Sequence, residues 1–223
     1  GGGYHPRNGI AVTPGEILTI RVGDGGNPGI WNGTPSTSGQ SSFITRGSTQ
    51  LLNANGGQAG VSSPTGPLGG AGGTSTGGFA GGTGGTASNG VSTRGTGGAV
   101  GVANYFLGVV NEYSGGGGGG IWDSGSNNWS SILGASGGGN SCDATSPTSN
   151  TAGFPARVNS GGGGGAGCAG MQTNGGRGGS GIAMIRYTTD ALDAFPADIT
   201  GLQARFVADD YQTLNQTLSL IHI

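Results

Sequence analysis

The chain has 223 residues and a net charge of −2, and charged residues make up only 8% of it. Glycine occupies 57 positions, all eight cations are arginine, and lysine is absent. Dispersed arginines form no basic stripe and a phosphate loop needs a lysine, so nucleic-acid and nucleotide binding are excluded. No apolar run is long enough for a membrane-spanning helix.

Short β-strands are predicted in the first quarter of the chain. Ile10–Val12 leads into the turn Thr13–Gly15, and Ile17–Val22 is a run rich in β-branched residues that glycines end. Ser41–Thr45 and Thr49–Leu52 have the same character and predict two more strands.

Phased glycine dominates the middle of the chain. Between Gly69 and Thr86 most residues fall into Gly-Gly-X triplets, and unbroken glycine returns at Gly115–Gly120 and Gly161–Gly165. A period of three is that of polyproline II geometry, and residues without a Cβ let such helices pack with their backbones nearly touching. The low charge leaves little self-repulsion, so we expect order built from backbone hydrogen bonds. The predicted fold is mostly β and irregular: short β-strands frame a bundle of polyglycine II helices, with little or no α-helix.

Two segments between the glycine tracts carry the larger side chains. Val100–Tyr113 is an apolar island that fits a strand pair or a short helix, and Ile121–Asn159 is a polar excursion predicted to be a long ordered loop. Tyr113, Trp122 and Trp129 flank or occupy this loop. These rings are candidate contacts for a saccharide or a partner surface. The alternative is that they cap the ends of the glycine bundle.

Cys142 and Cys168 are the two cysteines, 26 positions apart. A disulfide between them would close a loop worth about 3 kcal/mol by chain entropy and would indicate an oxidising, extracellular setting. The alternative is two separate thiols.

No catalytic, cofactor-binding or metal-binding residue is predicted. The only histidines are His5 and His222, one near each end, so no histidine-based catalytic group is predicted. Asp123–Asn127 resembles half of a calcium loop but lacks the closing glutamate, and it is interpreted as a polar turn.

Three Asn-x-Ser/Thr sequons begin at Asn32, Asn128 and Asn215. They are candidate N-glycosylation sites if the protein is secreted by a eukaryote. In a chain this rich in serine, threonine and asparagine, such sequons also arise by chance.

The composition changes near residue 190, where glycine almost vanishes. Ile182–Thr188 is predicted to be a closing strand, so we expect a glycine-rich domain over residues 1–190. Residues 191–223 are predicted to be a linker and either the truncated start of a β-sandwich or a donated strand. For Leu218–Ile223, a genuine strand and a translated sequencing-adapter segment are both open interpretations, and either one fits a chain that stops short of its natural end.

Four motifs together resemble the glycine-rich domain of phage tail-fibre proteins and of secreted or surface proteins: Val12–Gly15, Thr19–Gly23, Ser41–Phe43 and Gly175–Tyr187. The resemblance covers about residues 1–190 and implies β-strands around polyglycine II helices. Ile199–Tyr211 is similar to the opening strand of concanavalin-like and laminin-G-like sandwiches.

These features indicate a non-enzymatic structural module of an extracellular fibre, filament or surface appendage, with loops displayed on a rigid scaffold and with self-association between subunits. The alternative is a receptor-binding adhesin that recognises cell-surface glycans through residues 121–159. A weaker alternative is an enzyme whose catalytic domain lies outside this sequence. Neither a cofactor nor a nucleic-acid partner is expected.

Overall fold

The structure is a computed structural model that describes residues 1–13, 15–30, 33–60, 70–75, 77–85, 93–94, 96–122, 132–142, 152–167, 173–186 and 219–222. For residues 93–94, 121–122 and 219–222 it describes the backbone alone.

The described part of the chain contains short antiparallel strands and no helix, which confirms the predicted mostly β and irregular fold. The strands are β1 His5–Asn8, β2 Leu18–Arg21, β3 Ser42–Arg46, β4 Thr49–Ala54, β5 Thr93–Arg94, β6 Val102–Asn104, β7 Asn111–Tyr113, β8 Ile121–Trp122, β9 Ala183–Arg186 and β10 Ser219–His222.

One sheet has the strand order β2-β3-β4. Its alternating side chains bury Ile44 and Leu52, which pack with Ile10 into a small apolar core. Three of its strands were predicted, but the predicted strand at Ile10–Val12 is wrong. Ile10 packs on the face of the sheet instead, and the Ala11 carbonyl accepts a hydrogen bond from the Arg46 side chain.

A second sheet has the order β1-β10-β9, so its central strand comes from the far end of the chain. His222 pairs with His5 on one side and with Ala183 on the other. Within Leu218–Ile223, the structure therefore places Ser219–His222 in a strand, and β9 confirms the predicted closing strand.

The apolar island forms a strand pair, because β6 and β7 pair antiparallel with Val102 opposite Tyr113. Tyr113 packs with Tyr4 and Met184 into a second apolar cluster, which joins this hairpin to the strands β1 and β9.

The glycine tract after β7 runs through the centre of the molecule. Every residue from Tyr113 to Gly120 is buried. Each neighbouring segment bonds to this tract at positions three residues apart, as a helix with three residues per turn requires. These N–H to carbonyl bonds are 2.6–3.2 Å long. The tract accepts bonds at Ser114 and Gly117 from Gly82 and Gly85, and at Gly115 and Gly118 from Gly163 and Ala166. It donates from Gly116 and Gly119 to Ala99 and Thr96, and from Gly115 and Gly118 to Ser136 and Gly139.

This packing has no room for side chains. A Cβ added at Gly116 or Gly118 would lie less than 3.0 Å from backbone atoms of a neighbouring segment, a separation that real Cβ atoms essentially never show. The backbones therefore approach each other as in the predicted bundle of polyglycine II helices.

The structure describes the stretch 121–159, predicted to be one long loop, in separate parts. Its first two residues form β8. Its other described parts, 132–142 and 152–159, hydrogen-bond into the bundle: Gly139 donates to Gly163 at 2.8 Å and Ala156 donates to Arg177 at 2.9 Å. Small residues at Gly137–Gly139 allow the backbone to continue the close packing there. Residues 123–131 and 143–151 lie outside the described part.

Candidate interaction site

The β6–β7 hairpin ends in six uncharged residues, Tyr105–Val110, which we call the hairpin tip. Its turn is closed by the Gly108 N–H, which donates to the Tyr105 carbonyl at 2.9 Å. Gly108 has a φ of 80°, a left-handed conformation that favours glycine. Glycine at position 108 therefore favours this turn conformation.

Four large apolar side chains of the tip face solvent. Tyr105 is 69% exposed, Leu107 59%, Val109 63% and Val110 51%. Single exposed apolar residues are common on protein surfaces, whereas exposed apolar patches mark contact sites. The four neighbouring exposed residues make the tip a candidate contact site.

The hairpin tip is anchored to the body of the protein at its base. The Arg186 guanidinium lies 4.5 Å from the centre of the Phe106 ring and also donates to the Phe106 carbonyl. On the other side, the Asn104 side chain accepts a bond from the Phe106 N–H at 2.6 Å and donates to the Tyr4 hydroxyl. A cation over a ring and a chain of hydrogen bonds together hold the tip in one position.

Tyr4 is a buried part of this anchor. Burial raises the pKa of Tyr4 above its ordinary value, and the nearby Tyr113 acts in the same direction. The Asn104 bond offsets part of this effect. The Tyr4 hydroxyl is therefore neutral at physiological pH, and the anchor carries no buried negative charge.

The aromatic residues predicted as contacts occupy different places. Tyr113 is only 4% exposed, and its hydroxyl lies 3.9 Å from the Met184 sulfur, so its ring is part of the interior. The backbone of Trp122 pairs with Thr93 in β5–β8. The Trp122 side chain and all of Trp129 lie outside the described part.

The other predicted sites are only partly described. Cys142 is fully buried, and its N–H donates to the Ala166 carbonyl at 2.9 Å, two residues before Cys168. Cys168 itself and the sequon residues Asn32, Asn128 and Asn215 lie outside the described residues, so the disulfide and the glycosylation sites stay predictions.

His5 has a packing role. It is buried, and its Nδ1 lies 3.0 Å from the Asn53 carbonyl oxygen. Among the described residues, no three or more histidine, cysteine, aspartate or glutamate side chains come together in a way that could hold a metal ion. The same residues include no helix that is long and apolar enough to cross a membrane.

Sequence reasoning missed the hairpin tip as a contact site. The signal was present, since Tyr105–Val110 is an apolar run without charge around a glycine. The sequence pattern predicts the secondary structure of this island but not which of its side chains face solvent.

Comparison with known proteins adds one match. A family model described as a glycine-rich domain matches residues 1–188. No curated protein and no solved structure matches the chain.

Proposed function

We propose that this chain, which belongs to the glycine-rich domain family, is a non-catalytic structural module of an extracellular fibre or surface appendage. The observation that carries the proposal is the hairpin tip, an exposed apolar cluster on a hairpin whose strand β7 leads directly into the hydrogen-bonded glycine tract. The bundle acts as a rigid body, and the hairpin tip is the surface that it presents to a neighbouring subunit.

Rigidity follows from how the bundle is held together. Its cohesion comes from backbone hydrogen bonds, and its glycines have no side-chain rotamers to order. A contact surface that is already ordered loses less conformational entropy on binding. The anchors at Arg186 and Asn104 extend this pre-organisation to the tip.

The extracellular location rests on the proposed Cys142–Cys168 disulfide, because disulfides persist mainly in oxidising compartments. The position of Cys142 beside Ala166 supports this pairing, since Cys168 follows two residues later. We also propose, from the sequence pattern alone, that the module belongs to a fibre protein of the phage tail type and that Ile199–Tyr211 begins a laminin-G-like domain.

Surface labelling tests the location. An antibody against the chain should label intact particles or cells of the source organism without permeabilisation. Labelling that needs permeabilisation would contradict the extracellular assignment.

Substitution at the hairpin tip tests its role. The double variant Leu107→Ser/Val109→Ser should bind isolated surface structures of the source organism at least about tenfold more weakly than the parent chain. Val158 is 71% exposed and lies outside the hairpin, so Val158→Ser is the matched control and should bind like the parent. Equal loss in both variants, or in neither, would contradict a role for the tip.

The second candidate is a receptor-binding adhesin, which the exposed apolar tip also favours because such clusters mark contact sites. An adhesin should bind target cells as a dispersed chain, and a glycan array would identify a saccharide ligand. An adhesin that binds through the hairpin tip should lose binding in Leu107→Ser/Val109→Ser. One that binds through residues 121–159 should lose binding in Trp122→Ala/Trp129→Ala and keep it in the tip variant.

A further inference from the structure

In the described part of the chain, the sheet β2-β3-β4 has one covered edge and one open edge. At β4, side chains of β1 cover the edge: His5 Nδ1 lies 3.0 Å from the Asn53 carbonyl oxygen, and Arg7 donates to the Leu51 carbonyl at 2.9 Å. Among the described residues, no strand lies beyond β2 on the other side. The open edge presents backbone groups that are able to pair with another strand.

Apolar side chains continue to this open edge. Ile20 faces the fully buried Ile44 in the neighbouring strand but is itself 40% exposed, and Val22, two positions along on the same face, is 44% exposed. Ile17, the residue before β2, is 82% exposed. Part of the apolar face of the sheet, near β2, is therefore exposed to solvent.

We propose that the open edge of β2 pairs antiparallel with β2 of a second copy of this chain, around a two-fold axis at Thr19. In this register Thr19 lies opposite its own copy, Leu18 lies opposite Ile20, and Ile17 lies opposite Arg21. Directly opposed residues project to the same side of the joined sheet, and here each even-numbered residue lies opposite an even-numbered one. The apolar faces of the two sheets therefore lie on the same side. Leu18 and Ile20 then cover each other's exposed edges.

The charge pattern of β2 and its apolar residues are compatible with a second copy as the occupant. No ionisable side chain lies between Glu16 and Arg21. In the proposed register the two Arg21 residues are four positions apart along the strands, about 13 Å, and like charges do not face each other. In its own chain the Arg21 guanidinium lies 5.7 Å from the Phe43 ring centre and donates to the Gln40 side chain at 3.2 Å. In the proposed dimer the aliphatic stem of Arg21 packs on the copy's Ile17.

The pairing closes at two copies because the β4 edge is already covered. A two-fold contact uses the same surface on both copies, so it does not propagate. Paired short strands bury less surface than a standard interface, which makes the dimer weak and concentration-dependent. This pairing does not rest on the proposed function and leaves the hairpin tip free.

Sedimentation equilibrium of the full chain tests the proposal. The parent chain should show a monomer–dimer equilibrium. Thr19→Lys places two ammonium groups opposite each other at the axis and should leave only monomer. Gln50→Lys adds the same charge to an exposed position of β4 in the same sheet, and it should dimerise like the parent.

Cysteine trapping gives a readout that does not depend on affinity. The Cα atoms of directly opposed residues in antiparallel strands are about 4.5–5.5 Å apart, within the range of a disulfide. Thr19→Cys should therefore form a covalent dimer under mild oxidation, and Gln50→Cys should not. A parent chain that stays monomeric up to its solubility limit, or equal trapping of both cysteine variants, would overturn the proposal.

Discussion

At the scale of single residues, the missing Cβ decides which positions belong to the bundle. Gly116 lies in the buried central tract, and a Cβ there would approach the Thr83 backbone to less than 3.0 Å. At Gly175 the nearest atoms to an added Cβ are 3.5 Å away, an ordinary van der Waals contact. An added Cβ would therefore clash with backbone atoms at Gly116 and make an ordinary contact at Gly175.

We therefore expect Gly116→Ala to lower the free energy of unfolding by about 3 kcal/mol or more, because a tightly packed backbone has no space to relax. Gly175→Ala is the control and should stay within about 0.5 kcal/mol of the parent. Urea denaturation of both variants gives the comparison. Similar effects at the two positions would show that the central tract is not closely packed.

Glu16 is a second residue with a defined environment. The Thr13 N–H donates to its carboxylate at 3.0 Å, and Arg46 forms an ion pair with it. The Thr13 bond above all, together with Arg46, lowers the pKa of Glu16 below its ordinary value. A depressed carboxyl pKa stabilises the fold above the pKa of the unfolded chain, and this contribution is lost as pH falls through the folded pKa.

A carboxyl ¹³C NMR titration should find the Glu16 pKa below its ordinary value. In Arg46→Met the pKa should rise but stay below that value, since the Thr13 bond remains. An unshifted pKa in the parent chain would contradict this environment.

The cysteine pair gives a chemical prediction. Without reductant, the unfolded chain should take up no iodoacetamide, and after reduction it should take up two equivalents, as read by intact mass. The bridge should stabilise the fold by about 3 kcal/mol. Alkylation of both cysteines without reductant would remove the support for an oxidising compartment.

At the scale of elements, the hairpin shows how a displayed loop is held. Arg186 on β9 reaches the Phe106 ring and carbonyl, so a neighbouring strand fixes the tip. Arg186→Ala should leave the apolar side chains in place but loosen them. We expect lower ¹⁵N order parameters over Tyr105–Val110, with less change in the β2-β3-β4 sheet. Unchanged order at the tip would show that Arg186 does not anchor it.

The elements that were predictable are those with a local pattern. β2, β3 and β4 carry β-branched or aliphatic residues with glycine turns nearby, and these signals depend on neighbours in sequence. β1 was missed because His5–Asn8 is polar and contains a proline, so its strand form depends on pairing with Ser219–His222 at the other end of the chain. The polar segment His5–Asn8 has no local pattern that predicts a strand, whereas Leu218–Ile223 left a strand open as one interpretation.

The candidate site shows the same limit. Tyr113 is as aromatic as Tyr105, yet one is buried against Met184 and the other is 69% exposed. Which ring faces solvent depends on the position of Met184, 71 residues away in sequence. The sequence identifies the apolar island, and only the fold separates its interior strand ends from its exposed tip.

At the scale of the whole molecule, the sheets lie around a core that contains almost no side chains. The apolar clusters around Ile44 and Tyr4 are small, and the central tract contributes hydrogen bonds where most domains bury hydrocarbon. Rigidity of this bundle is the property from which the display function follows.

Native-state hydrogen exchange of the central tract tests that rigidity most directly. Gly115, Gly116, Gly118 and Gly119 donate their N–H groups to neighbouring segments. Their amides should exchange only through global unfolding, although they lie outside every strand. Exchange of these glycine amides at the rate of an unstructured chain would contradict a hydrogen-bonded scaffold and, with it, the proposed function.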